Sequence, residues 1–272
     1  MILQRYIDRG YLTTAKAEQL ELDSFQSDVL SSEAISQLIF SNFISVDEVL
    51  QLSLREQSNL KLHSICRLIT DGLITIKDAL AFAAKQRMIL GSEKICDLII
   101  AEKMTVDQAL QLKLEQRITL ESQAIYELVS RGKIAIDQTL QFDLEQRITL
   151  ESQVIYELVS RDKITVDQLL KLDASKRRVL ESNSICELIN KEFITVDQAL
   201  NFNLKQRIIL ESEEVFQLII DGLIDNAITS DEIFPFTSNR EQILSSERIR
   251  SLIIANKVTI RQALQLDIAK TL

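Results

Sequence analysis

The chain has 272 residues, a formal net charge of −9 and 46% hydrophobic residues, with five glycines, one proline and no tryptophan. That apolar content is ample for a core of Leu and Ile, and so few Gly and Pro leave little room for long linkers. The acidic balance, with no clustered basic face, argues against nucleic acid as a partner. No apolar run approaches the roughly 20 residues that span a bilayer.

Internal repetition dominates the sequence. Residues 114–134 read LEQRITLESQAIYELVSRGKI and residues 144–164 read LEQRITLESQVIYELVSRDKI, differing at two positions of twenty-one. A fixed thirty-residue period must be read before any single motif. Each unit holds three segments, here called C, A and B in chain order. Segment C is typified by residues 122–132, A by 195–202 and B by 144–151.

In chain order, residues 1–12 form a half-repeat. Leu3, Tyr6 and Ile7 match Ile125, Leu128 and Val129, and Gly10 matches Gly132. The three-and-four spacing is one face of a helix. The N-terminal MILQRYIDRGYL lacks a signal-peptide core, because Arg5, Asp8 and Arg9 interrupt it. The expectation is a protein cytoplasmic in the producing cell, or exported by another route. The first A segment, from Thr13 to Leu22, carries about two extra residues.

Regular repeats then run from about residue 30 to 224. Segment C keeps Ile35, Ile65, Ile95, Ile125, Ile155 and Ile185 in one column, and Val215 continues it. Segment B keeps Leu30, Leu60, Leu90, Leu120, Leu150, Leu180 and Leu210. A Ser opens segment C at Ser32, Ser92, Ser122, Ser152, Ser182, Ser212 and Ser246. Its hydroxyl is expected to accept a free N–H of the first turn. Segment A opens on capping boxes such as Ser45/Glu48, Thr105/Gln108, Thr165/Gln168, Thr195/Gln198, Thr229/Glu232 and Thr259/Gln262. Gly10, Gly72, Gly132 and Gly222, with Asn42 and Asn256, mark the end of C, where a left-handed cap favours Gly or Asn.

The lone proline separates A from B. Pro235 shares a column with Gln111, Gln141 and Lys171, and inside a continuous helix it would cost about 3 kcal/mol. Asp143 and Asp173 follow the same point and can cap B. Three short helices per repeat are therefore expected. An irregular repeat follows at 225–258, with four residues inserted near Asp225–Ala227, and a truncated one at 259–272. The fold class read from this pattern is all-α, an α-solenoid in a single continuous array over 1–272. Neither end shows a polar capping repeat, so end-to-end self-association is a candidate property.

The residues that carry chemistry elsewhere have packing roles here. Cys66, Cys96 and Cys186 share a column with Ser36, Tyr126, Tyr156 and Phe216, as small hydrophobes at a half-buried helix face. They lack the convergent partners that a metal needs, and no cofactor is expected. His63 aligns with Glu33, Glu93, Gln123, Gln153 and Asn183, a polar surface position. Arg87, Arg117, Arg147, Arg177 and Arg207 recur in B, and Glu121, Glu151, Glu181 and Glu211 follow the last four at i+4. Asp107, Asp137, Asp167 and Asp197 recur in A. The Arg column is either a structural ladder of Arg–carboxylate pairs or an anion-binding stripe for a partner, and the matching acidic columns favour the ladder. Phe234, Pro235 and Phe236 read as a distorted repeat, since the two Phe occupy the core columns of Leu200 and Phe202.

The ordered pattern in Ala109–Leu112, Gln116–Ser122, Ile125–Val129 and Thr165–Leu170 resembles the short helical repeats of effector proteins from Legionella and related intracellular bacteria. Many units here lack the Pro and Gly of those repeats at the start of C. The resemblance implies translocation into a host cell and action by binding host or bacterial proteins, with no catalytic residue carried over. The expected function is thus a non-enzymatic protein–protein interaction scaffold. The alternative is an enzyme whose site is assembled near residues 225–240 from Asp225, Asp231, Glu232 and Arg240.

Overall fold

The structure, a computed structural model, describes residues 2–211 together with residues 216 and 251. Among these residues are twenty-one α-helices and no strand, so the described part of the chain is all-α. It divides into two compact units, residues 1–142 and 143–272. Readings placed on Ser212, Val215, Gly222, Asp225–Ala227, Thr229, Pro235, Ser246, Asn256 and Thr259 lie outside the described residues.

Unit 1 opens on α1 (Gln4–Asp8), a lone C segment. The A, B and C helices then follow as α2 (Thr14–Gln19), α3 (Ser24–Ser31) and α4 (Glu33–Phe40), and as α5 (Val46–Gln51), α6 (Leu54–Leu60) and α7 (His63–Thr70). Two further triplets are α8 (Ile76–Ala81), α9 (Ala84–Leu90) and α10 (Glu93–Ile100), and α11 (Val106–Leu110), α12 (Leu114–Glu121) and α13 (Gln123–Ser130). The unit ends on α14 (Ile136–Thr139). Unit 2 runs B, C, A, B, C, A, B as α15 (Leu144–Glu151), α16 (Gln153–Ser160), α17 (Val166–Leu170), α18 (Ala174–Leu180), α19 (Asn183–Asn190), α20 (Val196–Leu200) and α21 (Leu204–Glu211).

Helices this short do not hold in water alone, so caps and packing must support them. Every A helix from α5 to α20 except α14 begins at a capping box. The Thr105 hydroxyl accepts the Gln108 N–H at 3.1 Å, and Gln108 accepts the Thr105 N–H at 2.8 Å. Thr75 and Asp78 make the same exchange with a shorter acid. The B helices start on a second set of caps, which is why A and B are separate helices. Asp143 accepts the Gln146 N–H at 2.8 Å and Asp173 accepts the Lys176 N–H at 2.9 Å, as expected. Where the cap is Ala83 or Lys113, the glutamine of the next turn still accepts its N–H, at 2.9 and 3.0 Å. The Gln of the recurrent Gln-Arg pair is therefore half of a cap.

One expectation fails. Ser32, Ser92, Ser122, Ser152 and Ser182 occupy the position before each C helix, but none of their hydroxyls caps it. Each stands one or two residues past the end of the preceding B helix, its N–H donating back into that helix, as Ser32 does to Val29. The serine sits at ψ between 122° and 130°, against 161° at the capping Thr105 and Thr195. Leu62 fills the same place before α7.

The C helices end in paired turns. The Gly72 N–H donates to the Ile69 carbonyl and the Leu73 N–H to the Leu68 carbonyl, at 3.0 and 2.9 Å. This arrangement needs a left-handed residue at Gly72, where φ is 73°. The same conformation is held by Asn42, Glu102, Asp162 and Glu192, at φ between 56° and 66°. The turn is thus imposed even where the side chain disfavours it.

Packing follows the repeat. In unit 1, α4 packs on α7 and α7 on α10, while α3, α6, α9 and α12 each pack on the A helix of the next repeat. In unit 2, α16 packs on α19 and α18 on α20. The segment C isoleucines Ile35 to Ile185 and the segment B leucines Leu30 to Leu210 are all fully buried. Each such side chain contributes about 1.5–3 kcal/mol by leaving water.

Candidate interaction surface

The Arg column lies on the B helices, half-buried throughout its length. On α12, Arg117 Nε is 3.2 Å from Glu121 Oε1, but its N–H does not point at that oxygen, so the contact is an ion pair rather than a hydrogen bond. Arg207 and Glu211 on α21 are looser, at 3.9 Å. Arg177 on α18 turns instead to Glu145 on α15, one repeat earlier. Arg87 on α9 has Gly91 four residues on, where an added Cβ would meet the Arg87 carbonyl oxygen at 2.6 Å. Arg147 lies on α15, its side chain half-buried like the rest. The heads of Arg117, Arg177 and Arg207 meet carboxylates on the same or the neighbouring B helix.

Other ion pairs also join successive repeats. Lys16 meets Asp47, Lys61 meets Asp28, and Lys163 lies 2.7 Å from Glu192. In unit 1, Arg67 on α7 lies 2.7 Å from Asp97 on α10, whose other oxygen accepts the Tyr126 hydroxyl of α13 at 3.1 Å. The hydrogen bond that Arg67 donates to Asp97 raises the Arg67 pKa above its ordinary value. Solvated pairs of this kind are each worth about 0–1 kcal/mol, so they set register more than stability.

The cysteines differ from expectation in one respect: all three are buried rather than half-buried. Each thiol points at the neighbouring C helix. The Cys66 and Cys96 thiols donate to the carbonyls of Ala34 and Ser64 at 3.3 Å, and Cys186 donates to Val154 at 3.6 Å. Burial pushes each thiol up to about 11. Such thiols are poor nucleophiles and poor metal ligands. His63 is exposed on the first turn of α7. Among the described residues no group of His, Cys, Asp and Glu is arranged to hold a metal ion, and no helix is long and apolar enough to cross a membrane. Asp225, Asp231, Glu232 and Arg240 lie outside the described residues.

The surface feature missed by the sequence reading is apolar. Leu54, Leu114, Leu144 and Leu204 begin their B helices, and Met88, Ile118, Ile148 and Ile208 stand one turn further along. All eight are exposed, between 52% and 68%. On α12, α15 and α21 the two positions are i and i+4, so each helix presents an apolar pair to solvent. The thirty-residue step in these columns was the available signal. It was hidden because an apolar residue at the start of a helix reads equally well as core.

No protein-family model, no curated protein and no solved structure matches this chain.

Proposed function

We propose that the chain is a non-enzymatic interaction protein, an α-solenoid in one continuous array that binds another protein through its repeated surface. The observation that supports it is the exposed apolar pair on helix B, repeated on α12, α15 and α21. Isolated exposed apolar residues are ordinary, but the same two columns left apolar and uncovered on three B helices are what an interaction face requires. The net charge of −9 favours a partner with a basic patch and disfavours nucleic acid and anionic lipid. The resemblance to bacterial effector repeats extends the choice of partner to host proteins, reached from the bacterial cytoplasm by translocation.

Affinity capture from bacterial and host lysates tests the proposal. The wild-type chain is compared with Leu114→Lys/Ile118→Lys and Leu144→Lys/Ile148→Lys. Lysine has nearly the helix propensity of leucine, so both variants are expected to keep the wild-type helical signal and melting temperature. A stoichiometric protein recovered by the wild type and lost by these variants supports the reading. A partner held equally well by both variants removes its basis, as does small-molecule turnover abolished by Asp231→Ala.

A further inference from the structure

Unit 1 carries an open groove of about 780 Å³ between α8 and α11. Phe82, Ile99 and Met104 form its apolar floor, each buried against the helices beneath. Ala81 stands at its mouth, and Glu102 and Asp107 stand on its bank, all exposed. Two of these positions depart from the repeat. Ala81 occupies the column of Gln51, Gln111, Gln141, Lys171 and Asn201, so this repeat lacks the polar side chain that the others carry at that position. Met104 occupies the column of Ile44, Ile74, Ile134, Ile164 and Ile194. An unbranched thioether replaces a stiff β-branched side chain, which gives a floor able to adjust to what it meets.

The charge around the groove is one-sided. Asp78, Glu102 and Asp107 line it against the single ammonium of Lys103. Asp78 already accepts the Thr75 N–H and hydroxyl, which leaves Glu102 and Asp107 facing solvent on the bank.

We propose that this groove docks a partner segment presenting an apolar side chain beside a lysine or arginine. The apolar group rests on Phe82 and Met104, and the cation lies between Glu102 and Asp107. This inference rests on the reading of the chain as an interaction protein and names one surface and the chemistry of its occupant. Charge complementarity selects the cation, and a groove of this volume with a buried apolar floor suits an inserted side chain.

The test uses the full chain labelled at its methionine methyls and three short synthetic peptides, of alternating Lys/Leu, Glu/Leu and Lys/Ser. The Lys/Leu peptide is expected to shift the Met104 methyl resonance while leaving Met88 unmoved, with an affinity that falls as salt rises. Ala81→Gln restores the residue found in the sister repeats, so it is expected to fold and melt like the wild type while weakening the peptide roughly tenfold. Glu102→Gln/Asp107→Asn is expected to weaken it similarly and to flatten the salt dependence. A shift at Met88 in place of Met104, or equal binding of the Glu/Leu or Lys/Ser peptide, overturns the proposal. A captured protein partner whose affinity ignores Ala81→Gln overturns the groove and leaves the broader interaction reading standing. Failure to capture any partner, with the Lys/Leu peptide still held at Met104, counts against the broader reading alone.

Discussion

Cys66, Cys96 and Cys186 each place a thiol hydrogen against a backbone carbonyl of the preceding C helix. At this scale they are packing atoms with a weak directional bond. All three are expected to resist a disulfide thiol reagent at about pH 8 in the folded chain and to react promptly once it is denatured. The sign of the alkaline effect follows from the raised pKa. In the unfolded chain the thiols ionise near their ordinary value of 9.0, and in the folded chain near 11. Their contribution to stability is therefore complete below pH 9 and is lost as pH rises toward 11. Melting curves of the Cys66→Ala/Cys96→Ala/Cys186→Ala variant are expected to show a shallower decline across that window. Sequence alignment placed these residues in the right column but not at the right depth. Whether a position is half or fully buried depends on the helix laid over it, and Tyr126 in the same column is only half-buried.

At the scale of the helix, the caps set where each segment begins. Thr105 caps α11 with its hydroxyl, whereas Ser122 stands before α13 with its hydroxyl unused for capping. Thr105→Ala is expected to cost about 1 kcal/mol, and Ser122→Ala a small fraction of that, measured by denaturant melts. The acidic boxes add a pH dependence. The Ser45 N–H lowers the Glu48 pKa, and the hydroxyls of Ser53 and Thr75 lower those of Glu56 and Asp78. A carboxylate favoured in the folded state stabilises above its ordinary pKa, here 4.5 for the glutamates and 3.8 for Asp78. That stability is lost as pH falls through the lowered values. Melting temperature is expected to drop below about pH 4.5, and to drop less steeply in Ser45→Ala/Ser53→Ala/Thr75→Ala.

Within each of the two units, the helix contacts lie inside a repeat or run from it to the next. A chain of nearest-neighbour contacts opens locally rather than all at once. Leu60 is fully buried on α6, and Leu60→Ala is expected to cost about 2–5 kcal/mol through lost transfer energy and the cavity left behind. Hydrogen exchange is expected to show the loss of protection centred on α6, α7 and α8, with α17 to α20 keeping theirs. Uniform loss across all helices would mean that the described chain unfolds as one cooperative block.

The sequence by itself determined the helices. The thirty-residue step, the three-and-four spacing of Ile and Leu, the Thr/Gln boxes and Asp143 and Asp173 are local signals, because a helix is closed by bonds between residues at most a few places apart. Tertiary structure alone decided three matters. It set the left-handed turn at Glu102, Asp162 and Glu192, where packing of the flanking helices overrides side-chain preference. It turned Arg177 toward Glu145 of the previous repeat instead of Glu181 on its own helix. It also sorted the leucines, burying Leu120 on α12 while leaving Leu114 on the same helix exposed. Both residues are leucine in a repeated column, and their fates differ because only one side of helix B meets another helix.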